Sequence, residues 1–173
     1  DSRLGLSRVK DIVANLKNFA RTDTGNLLPT DINSCVDETI KFVWNELKYD
    51  IDLVKKYGEL PPVRCNQSQL SQVIMNLLVN AKQAIKGRGK ITIKTETTPN
   101  SVIISIKDTG AGIPAHIKER IFDPFFTTKP VNEGTGLGLS ISYGIIQQHK
   151  GKLWFETRDG IGTTFFIELP ITE

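Results

Sequence analysis

The strongest constraint on the fold comes from two pairs of neighbouring segments in which apolar and polar residues alternate. The first pair is KITIKTET (90–97) and SVIISIKD (101–108), joined by TPN. The second pair is GKLWFETRD (151–159) and GTTFFIELP (162–170), with glycines at the turn between them. A period of two is typical of strands that bury one face. Short turns between such strands favour hairpins, so the sequence predicts a mostly antiparallel sheet.

Other segments show the three-to-four residue spacing of amphipathic helices. Asp31 can cap a helix over INSCVDETIKFVWNEL (32–47). Asn66, three residues before Gln69, resembles a capping box for a helix running to about Ala84. A short helix is expected after Pro114, and another over LSISYGIIQQH (139–149). Near the N-terminus, one apolar stripe predicts a separate helix, formed by Val9, Ile12, Leu16 and Phe19.

Between these helices, IDLVKKY (51–57) alternates like a strand, and residues 22–30, which contain Gly25 and Pro29, predict a linker. Helices and strands therefore mix without regular alternation. We predict an α+β fold, namely a two-layer α/β sandwich with helices on one face of a mixed, mostly antiparallel sheet. One isolated helix precedes it.

Composition narrows the class of protein further. The chain has 173 residues, with 22 basic and 19 acidic side chains interleaved, and no long basic block that would indicate nucleic-acid binding. Cys35 and Cys65 stand alone, so free thiols are expected rather than a zinc site or a disulfide framework. No apolar run approaches the ~18 residues of a membrane span. The start without Met suggests a fragment of a longer protein.

Two sets of polar residues lie where a nucleotide could bind. Asn76 and Asn80 are one helical turn apart, and an amide oxygen there could be a ligand of Mg²⁺ that also contacts phosphates. Asp108 ends a predicted strand, where its carboxylate could accept a hydrogen bond from the exocyclic amine of adenine. Gly110 and Gly112 would let the backbone pass beside a flat ring. Taken singly, the asparagines could satisfy backbone groups, and Asp before Gly could be only a turn.

The stretch EGTGLGLS (133–140) places glycines where a helix must begin. A helix N-terminus has unpaired N–H groups and a partial positive charge, so it attracts anions. Glycines remove side chains that would hold phosphates away, and hydroxyls of Thr135 and Ser140 lie nearby; a flexible hinge is the simpler alternative. The pattern is neither a P-loop nor GxGxxG.

The loop FDPFFTTK (122–129) contains three aromatic residues, which could anchor a mobile lid to the rest of the domain. The ammonium group of Lys129 could then reach the phosphates.

Together, NLLVNAKQA, DTGAGIP, FDPFFTTK and GTGLGLS resemble the N, G1, F and G2 boxes of bacterial two-component sensor histidine kinases. GIGTTFFIELP is similar to the closing segment of their ATP-binding domain, and the resemblance covers about residues 27–170. It implies ATP and Mg²⁺ as cofactors, with Asn80 on the metal and Asp108 on the adenine amine. Asn76 and Lys129 are then the candidate catalytic residues. The other nucleotide-binding candidates are Gln83, Gly110, Gly112, Gly134, Thr135, Gly136, Leu137, Gly138 and Thr163.

Two positions bear on the chemistry that the resemblance implies. Related ATPases have a Glu one turn before the metal-binding Asn, whereas Asn76 is an amide and a poor base, which suits a kinase that must exclude water. Many family members have a basic residue where this chain has Gln83. Lys82, one position earlier, is rotated by about 100° on the helix, so Lys129 is the better candidate cation.

The resemblance also predicts domains and partners. Residues 1–24 would be the C-terminal helix of a truncated dimerisation and phosphoacceptor hairpin, and residues 25–173 the catalytic domain. Expected partners are a phosphoacceptor His in the same or a partner subunit, a response regulator, and a second copy in the full-length protein, which would be cytoplasmic or attached to a membrane. Neither His116 nor His149 has an acceptor's surroundings, so both are expected to be ordinary surface residues. Alternatives are an ATP-hydrolysing relative, an anti-sigma Ser/Thr kinase of the same fold, and a nucleotide-sensing module without transfer.

Overall fold

The structure, a computed structural model, describes residues 26–128 and 137–171. Its main sheet has five strands: β2 (Ile51–Tyr57), β4 (Gly89–Thr97), β5 (Ser101–Asp108), β6 (Lys152–Arg158) and β7 (Gly162–Pro170). Their order across the sheet is β2-β4-β5-β7-β6. β2 pairs with β4 in parallel, and the other three pairings are antiparallel. The predicted mixed, mostly antiparallel sheet is confirmed.

Within the described residues, three α-helices pack together beside the sheet: α1 (Ile32–Leu47), α2 (Gln67–Ala84) and α3 (Gly138–Gln148). Two predicted caps are present, since Asp31 accepts from the N–H of Ser34 and Asn66 accepts from that of Gln69. Such caps satisfy donors that the first helical turn leaves unpaired. The short helix after Pro114 is a 3₁₀ helix, Ala115–Arg120.

The core lies between the sheet and the helices. β7 alternates strictly between buried and partly exposed residues, as a strand with one buried face should. Four isoleucines of the two central strands are almost completely buried, in keeping with an α+β sandwich: Ile91 and Ile93 of β4, and Ile104 and Ile106 of β5. The two cysteines are free thiols, as expected, and the structure shows that both are buried. Among the described helices, none is long and apolar enough to cross a bilayer.

The linker prediction was wrong for its last three residues. Leu28–Thr30 form strand β1, which pairs antiparallel with β3 (Val63–Cys65) in a separate two-stranded sheet. Three residues are too few to show a period, and Pro29 on a short edge strand resembled a breaker. The predicted N-terminal helix and domain 1–24 lie outside the described residues.

Candidate nucleotide-binding site

The side chain of Asn76, on α2, is hydrogen-bonded to the first turn of α3, 62 residues away in sequence. Its amide nitrogen donates to the carbonyl oxygen of Gly138 at 3.2 Å and to the hydroxyl of Ser142 at 3.1 Å. At the other end of the same helix pair, His149 contacts Asn66 at the start of α2. The two helices therefore run antiparallel, and the N-terminus of α3 lies against the middle of α2.

This arrangement places an anion-attracting helix end beside amide side chains. α3 begins at Gly138, and the preceding Leu137 has no polar side chain that could cap it. The first N–H groups of a helix have no partner within the helix and carry partial positive charge. Asn80 follows Asn76 by one turn on α2 and so shares its face. The structure thus brings the Asn76 motif and the Gly138 motif into direct contact.

Asp108, at the end of β5, is the buried carboxyl of the site. It is only 4% exposed, and its Oδ1 accepts from the N–H of Gly110 at 2.8 Å and of Thr163 at 3.3 Å. Burial raises the pKa of this carboxyl above its usual value, and the two backbone donors partly oppose the rise. Asp108 and Thr163, both predicted site residues, therefore meet.

The glycines of the Asp108 loop are needed for contacts within the protein. A Cβ on Gly110 would lie 2.6 Å from the carbonyl oxygen of Ala84 at the end of α2. Gly112 has φ +76° and faces the carbonyl of Arg158, which a Cβ would overlap. In the same loop, the N–H of Ala111 donates a hydrogen bond to the carbonyl oxygen of Ala84 at 3.1 Å. Close backbone packing thus fixes the loop against α2 and the β6–β7 turn.

Two threonines of the β6–β7 hairpin tie this loop to the sheet. The hydroxyls of Thr157 and Thr163 lie 2.8 Å apart, and Thr157 also accepts from the N–H of Ile113 at 2.9 Å. Thr157 donates in turn to the carbonyl of Gly162. The surroundings of Asp108 are therefore held by a hydrogen-bonded network across four segments.

Two of the three rings of the aromatic loop, Phe122 and Phe126, pack against the hydrophobic core. Phe122 lies 5.3 Å from the Tyr143 ring of α3 and 5.9 Å from that of Phe155 in β6, between ring centroids. The guanidinium of Arg120 lies over the ring of Phe126, with its Cζ atom 4.6 Å from the ring centroid. Phe125 instead is 59% exposed.

Four predicted site residues lie outside the described residues: Lys129, Gly134, Thr135 and Gly136. Gln83 lies on α2 near its end. Lys82, which we did not favour as a phosphate ligand, has its ammonium group 4.0 Å from the carboxylate of Asp50.

Sequence reasoning missed Ser142 and Thr157 and misjudged His149. His149 is buried rather than on the surface. Thr157 could have been found from hairpin pairing, since it lies opposite Thr163 in the register of β6 and β7. No local signal marks Ser142, whose role depends on the contact between two helices.

Comparison with known proteins gives a consistent result. Residues 65–173 match the family described as histidine kinase-, DNA gyrase B- and HSP90-like ATPase. The chain is 37% identical to the sensor kinase CckA of Brucella abortus (strain 2308), over 95% of this chain and 19% of CckA. It is also 37% identical to the signal transduction histidine-protein kinase AtoS of Escherichia coli (strain K12), over 96% of this chain and 28% of AtoS. The chain thus spans less than a third of either relative.

Solved structures agree with these matches. The catalytic domain of the histidine kinase ThkA, in a nucleotide-free form, superposes with a TM-score of 0.76 and 36% identity, covering 85% of this chain and 99% of that domain. ThkA solved with the response regulator protein TrrA gives a TM-score of 0.81 and 33% identity, over 97% of this chain and 48% of that one.

Proposed function

The chain belongs to the histidine kinase-, DNA gyrase B- and HSP90-like ATPase family, as a catalytic ATP-binding domain of the sensor histidine kinase type, and from this premise we propose that it binds ATP with Mg²⁺ and acts as a protein-histidine kinase. The γ-phosphoryl group of ATP would pass to a His on a phosphoacceptor segment, and from there to an Asp of a response regulator.

The observation that carries this proposal is the contact between Asn76 and Gly138. It places the N-terminus of α3 beside the amide face of α2, where phosphates and a metal ion would be held together. Phosphoryl transfer depends mainly on positioning and on neutralising charge, which such a site supplies. Backbone N–H groups from Gly134 to Gly138, the Thr135 hydroxyl and Lys129 would contact the phosphates, and Asn80 would be the ligand of Mg²⁺.

Asp108 supports a preference for adenine. Its buried carboxyl is fixed in orientation by the N–H groups of Gly110 and Thr163. A carboxylate accepts a hydrogen bond from the amine of adenine, whereas guanine presents a carbonyl oxygen at that position and would be repelled. We therefore expect ATP to bind and GTP to be rejected.

Asn76 favours phosphoryl transfer over ATP hydrolysis. A hydrolase needs a base that activates water, and an amide has no basic site at neutral pH. The amide nitrogen of Asn76 is also already committed to α3. No described contact favours the hydrolytic, the anti-sigma or the nucleotide-sensing alternative.

The rest of the signalling path is proposed by analogy with relatives. We propose that residues 1–24 are the end of a dimerisation and phosphoacceptor hairpin, which would bring two copies together in the full-length protein. The solved complex of ThkA with a response regulator supports such a regulator as the final acceptor. Since both ATP and response regulators are cytoplasmic, the domain would work there.

Calorimetry with ATP and GTP, each with and without Mg²⁺, tests the nucleotide site. We expect ATP to bind, Mg²⁺ to strengthen binding, and GTP to give no heat. Asn80→Ala should remove the effect of Mg²⁺, while Asn45→Ala, an exposed asparagine of α1, should keep it. If ATP does not bind at about millimolar concentration, corresponding to roughly −4 kcal/mol, the proposal is wrong.

A second experiment separates a kinase from the other classes. The chain joined to its natural upstream segment should incorporate phosphate from ATP in an acid-labile, base-stable form, as expected of phosphohistidine. Incorporation that is stable to acid would instead indicate a Ser/Thr kinase, and release of phosphate without incorporation would indicate a hydrolase.

A further inference from the structure

Ser142 is a polar residue buried in the contact between α2 and α3. It has no exposed surface, and the apolar Ile141 and Ile145 of the same helix are also buried. Alanine is a better helix former than serine, and a buried hydroxyl needs a partner. The partner is the amide nitrogen of Asn76, at 3.1 Å.

The Gly138 carbonyl fixes which way the Asn76 amide points, and the Ser142 hydroxyl accepts from the same nitrogen. Ser142 follows Gly138 by one turn, so the two oxygen acceptors lie on one face of α3. The carbonyl of Gly138 can only accept, and therefore the nitrogen of the amide, not its oxygen, must face α3. With both N–H bonds directed at α3, the amide oxygen is turned away from that helix.

The two contacts of the Asn76 amide, with Gly138 and with Ser142, together fix the start of α3 relative to α2. Gly138, the first residue of α3, is held on Asn76, and Asn80 lies one turn further along α2. A ligand spanning the N-terminus of α3 and the Asn80 amide would be sensitive to that separation. Displacements of about 1 Å at a reacting group can cost about 100-fold in rate.

We propose that Ser142 is a positioning residue of the nucleotide site, acting through Asn76 to set the spacing between the N-terminus of α3 and the Asn80 face of α2. This role rests on the proposed function, since it concerns a site that holds ATP and Mg²⁺.

The test measures binding of Mg·ATP to four forms of the chain: wild type, Ser142→Ala, Asn76→Ala and the double variant. Loss of one buried hydrogen bond should weaken Mg·ATP binding by Ser142→Ala about three- to tenfold. The double variant should bind no more weakly than Asn76→Ala, because both changes remove the same contact. Ser71→Ala is the matched control: it also removes a hydroxyl between helices, but one that contacts Cys35 of α1.

A spectroscopic measurement tests the contact without nucleotide. In the free chain, Ser142→Ala should shift the side-chain amide resonances of Asn76, and Ser71→Ala should leave them in place. A purely structural serine would lower the melting temperature while leaving Mg·ATP affinity unchanged.

The outcomes are distinguishable. If wild type binds Mg·ATP but Ser142→Ala binds it equally well, or if the losses in the two single variants simply add, the positioning role is overturned and the proposed function stands. If wild type does not bind ATP at all, the proposed function fails and the positioning role fails with it.

Discussion

His149, the residue after α3, accepts a hydrogen bond at its Nε2 atom from the backbone N–H of Asn66, the cap of α2, at 3.0 Å. Its Nδ1 atom lies 2.8 Å from the carbonyl oxygen of Ile145. A carbonyl only accepts, so Nδ1 carries the proton and Nε2 remains an acceptor. This imidazole therefore links the C-terminal end of α3 to the N-terminal end of α2, the two helices that form the proposed site.

Replacing His149 by Ala should destabilise the fold. The N–H of Asn66 would lose its partner in a partly buried place, and the buried ring would leave a cavity. We expect the free energy of unfolding to fall by about 1–3 kcal/mol, measured by denaturant titration.

The other histidine provides the control for this change. His116 is exposed on the 3₁₀ helix, so His116→Ala should change stability by less than about 0.5 kcal/mol. Equal effects of the two substitutions would show that the His149 contact does not stabilise the helix junction.

Elements marked by a local signal could be predicted from the sequence, whereas one strand could not. The caps Asp31 and Asn66 and the alternating strands are local signals, and the structure confirms them. Strand β1 escaped prediction because Leu28–Thr30 are stabilised by pairing with the distant Val63–Cys65 rather than by any local preference. Local patterns therefore predict individual helices and strands. They do not predict pairings between distant short segments, which form only in the completed fold.

The same distinction applies to the site. Asn76 and Asp108 stood out because amides and carboxylates among apolar neighbours are unusual, and their chemistry suggested a nucleotide. That the Asn76 amide contacts Gly138 and Ser142 follows only from the antiparallel packing of α2 and α3. The glycines Gly110 and Gly112 were predicted to lie beside a base, and the structure adds that neighbouring backbone already excludes a side chain there.

Asp108→Asn should separate stability from nucleotide binding. Burial raises the pKa of this carboxyl, so the folded chain holds the proton more tightly than the unfolded chain, whose pKa is about 3.9. Stability from this group is therefore present below the unfolded pKa and lost as pH rises through the raised folded value. The variant should be more stable than wild type above that window and equal to it below.

The same variant should no longer bind ATP, because the Asn amide can present a donor to the adenine amine. Unfolding followed across pH 3–8 and calorimetry with ATP would check both expectations. Loss of stability at neutral pH would contradict the raised pKa of Asp108, and ATP binding as tight as that of wild type would contradict its role in adenine recognition.

Two glycine substitutions should behave in opposite ways. In Gly110→Ala the new Cβ would meet the backbone carbonyl of Ala84 at 2.6 Å, and overpacking of this kind destabilises a fold by about 1–3 kcal/mol. In Gly138→Ala the nearest atom is Cγ of Asn76 at 3.8 Å, an ordinary contact, and alanine is favoured over glycine within a helix by about 1 kcal/mol. Thermal unfolding without ligand should therefore rank Gly138→Ala at or above wild type and Gly110→Ala below it.

Gly138→Ala should nevertheless bind ATP less tightly, because a phosphate approaching the first N–H groups of α3 would meet the new methyl group. A methyl group over the first N–H groups of α3 would lengthen a hydrogen bond to a charged oxygen, which corresponds to a loss of about ten- to 100-fold in affinity. The affinity is measured by calorimetry on the folded variant. Unchanged affinity in a chain of unchanged stability would mean that phosphates do not approach α3 at Gly138, and the anion site would then have to be sought elsewhere along the glycine-rich segment.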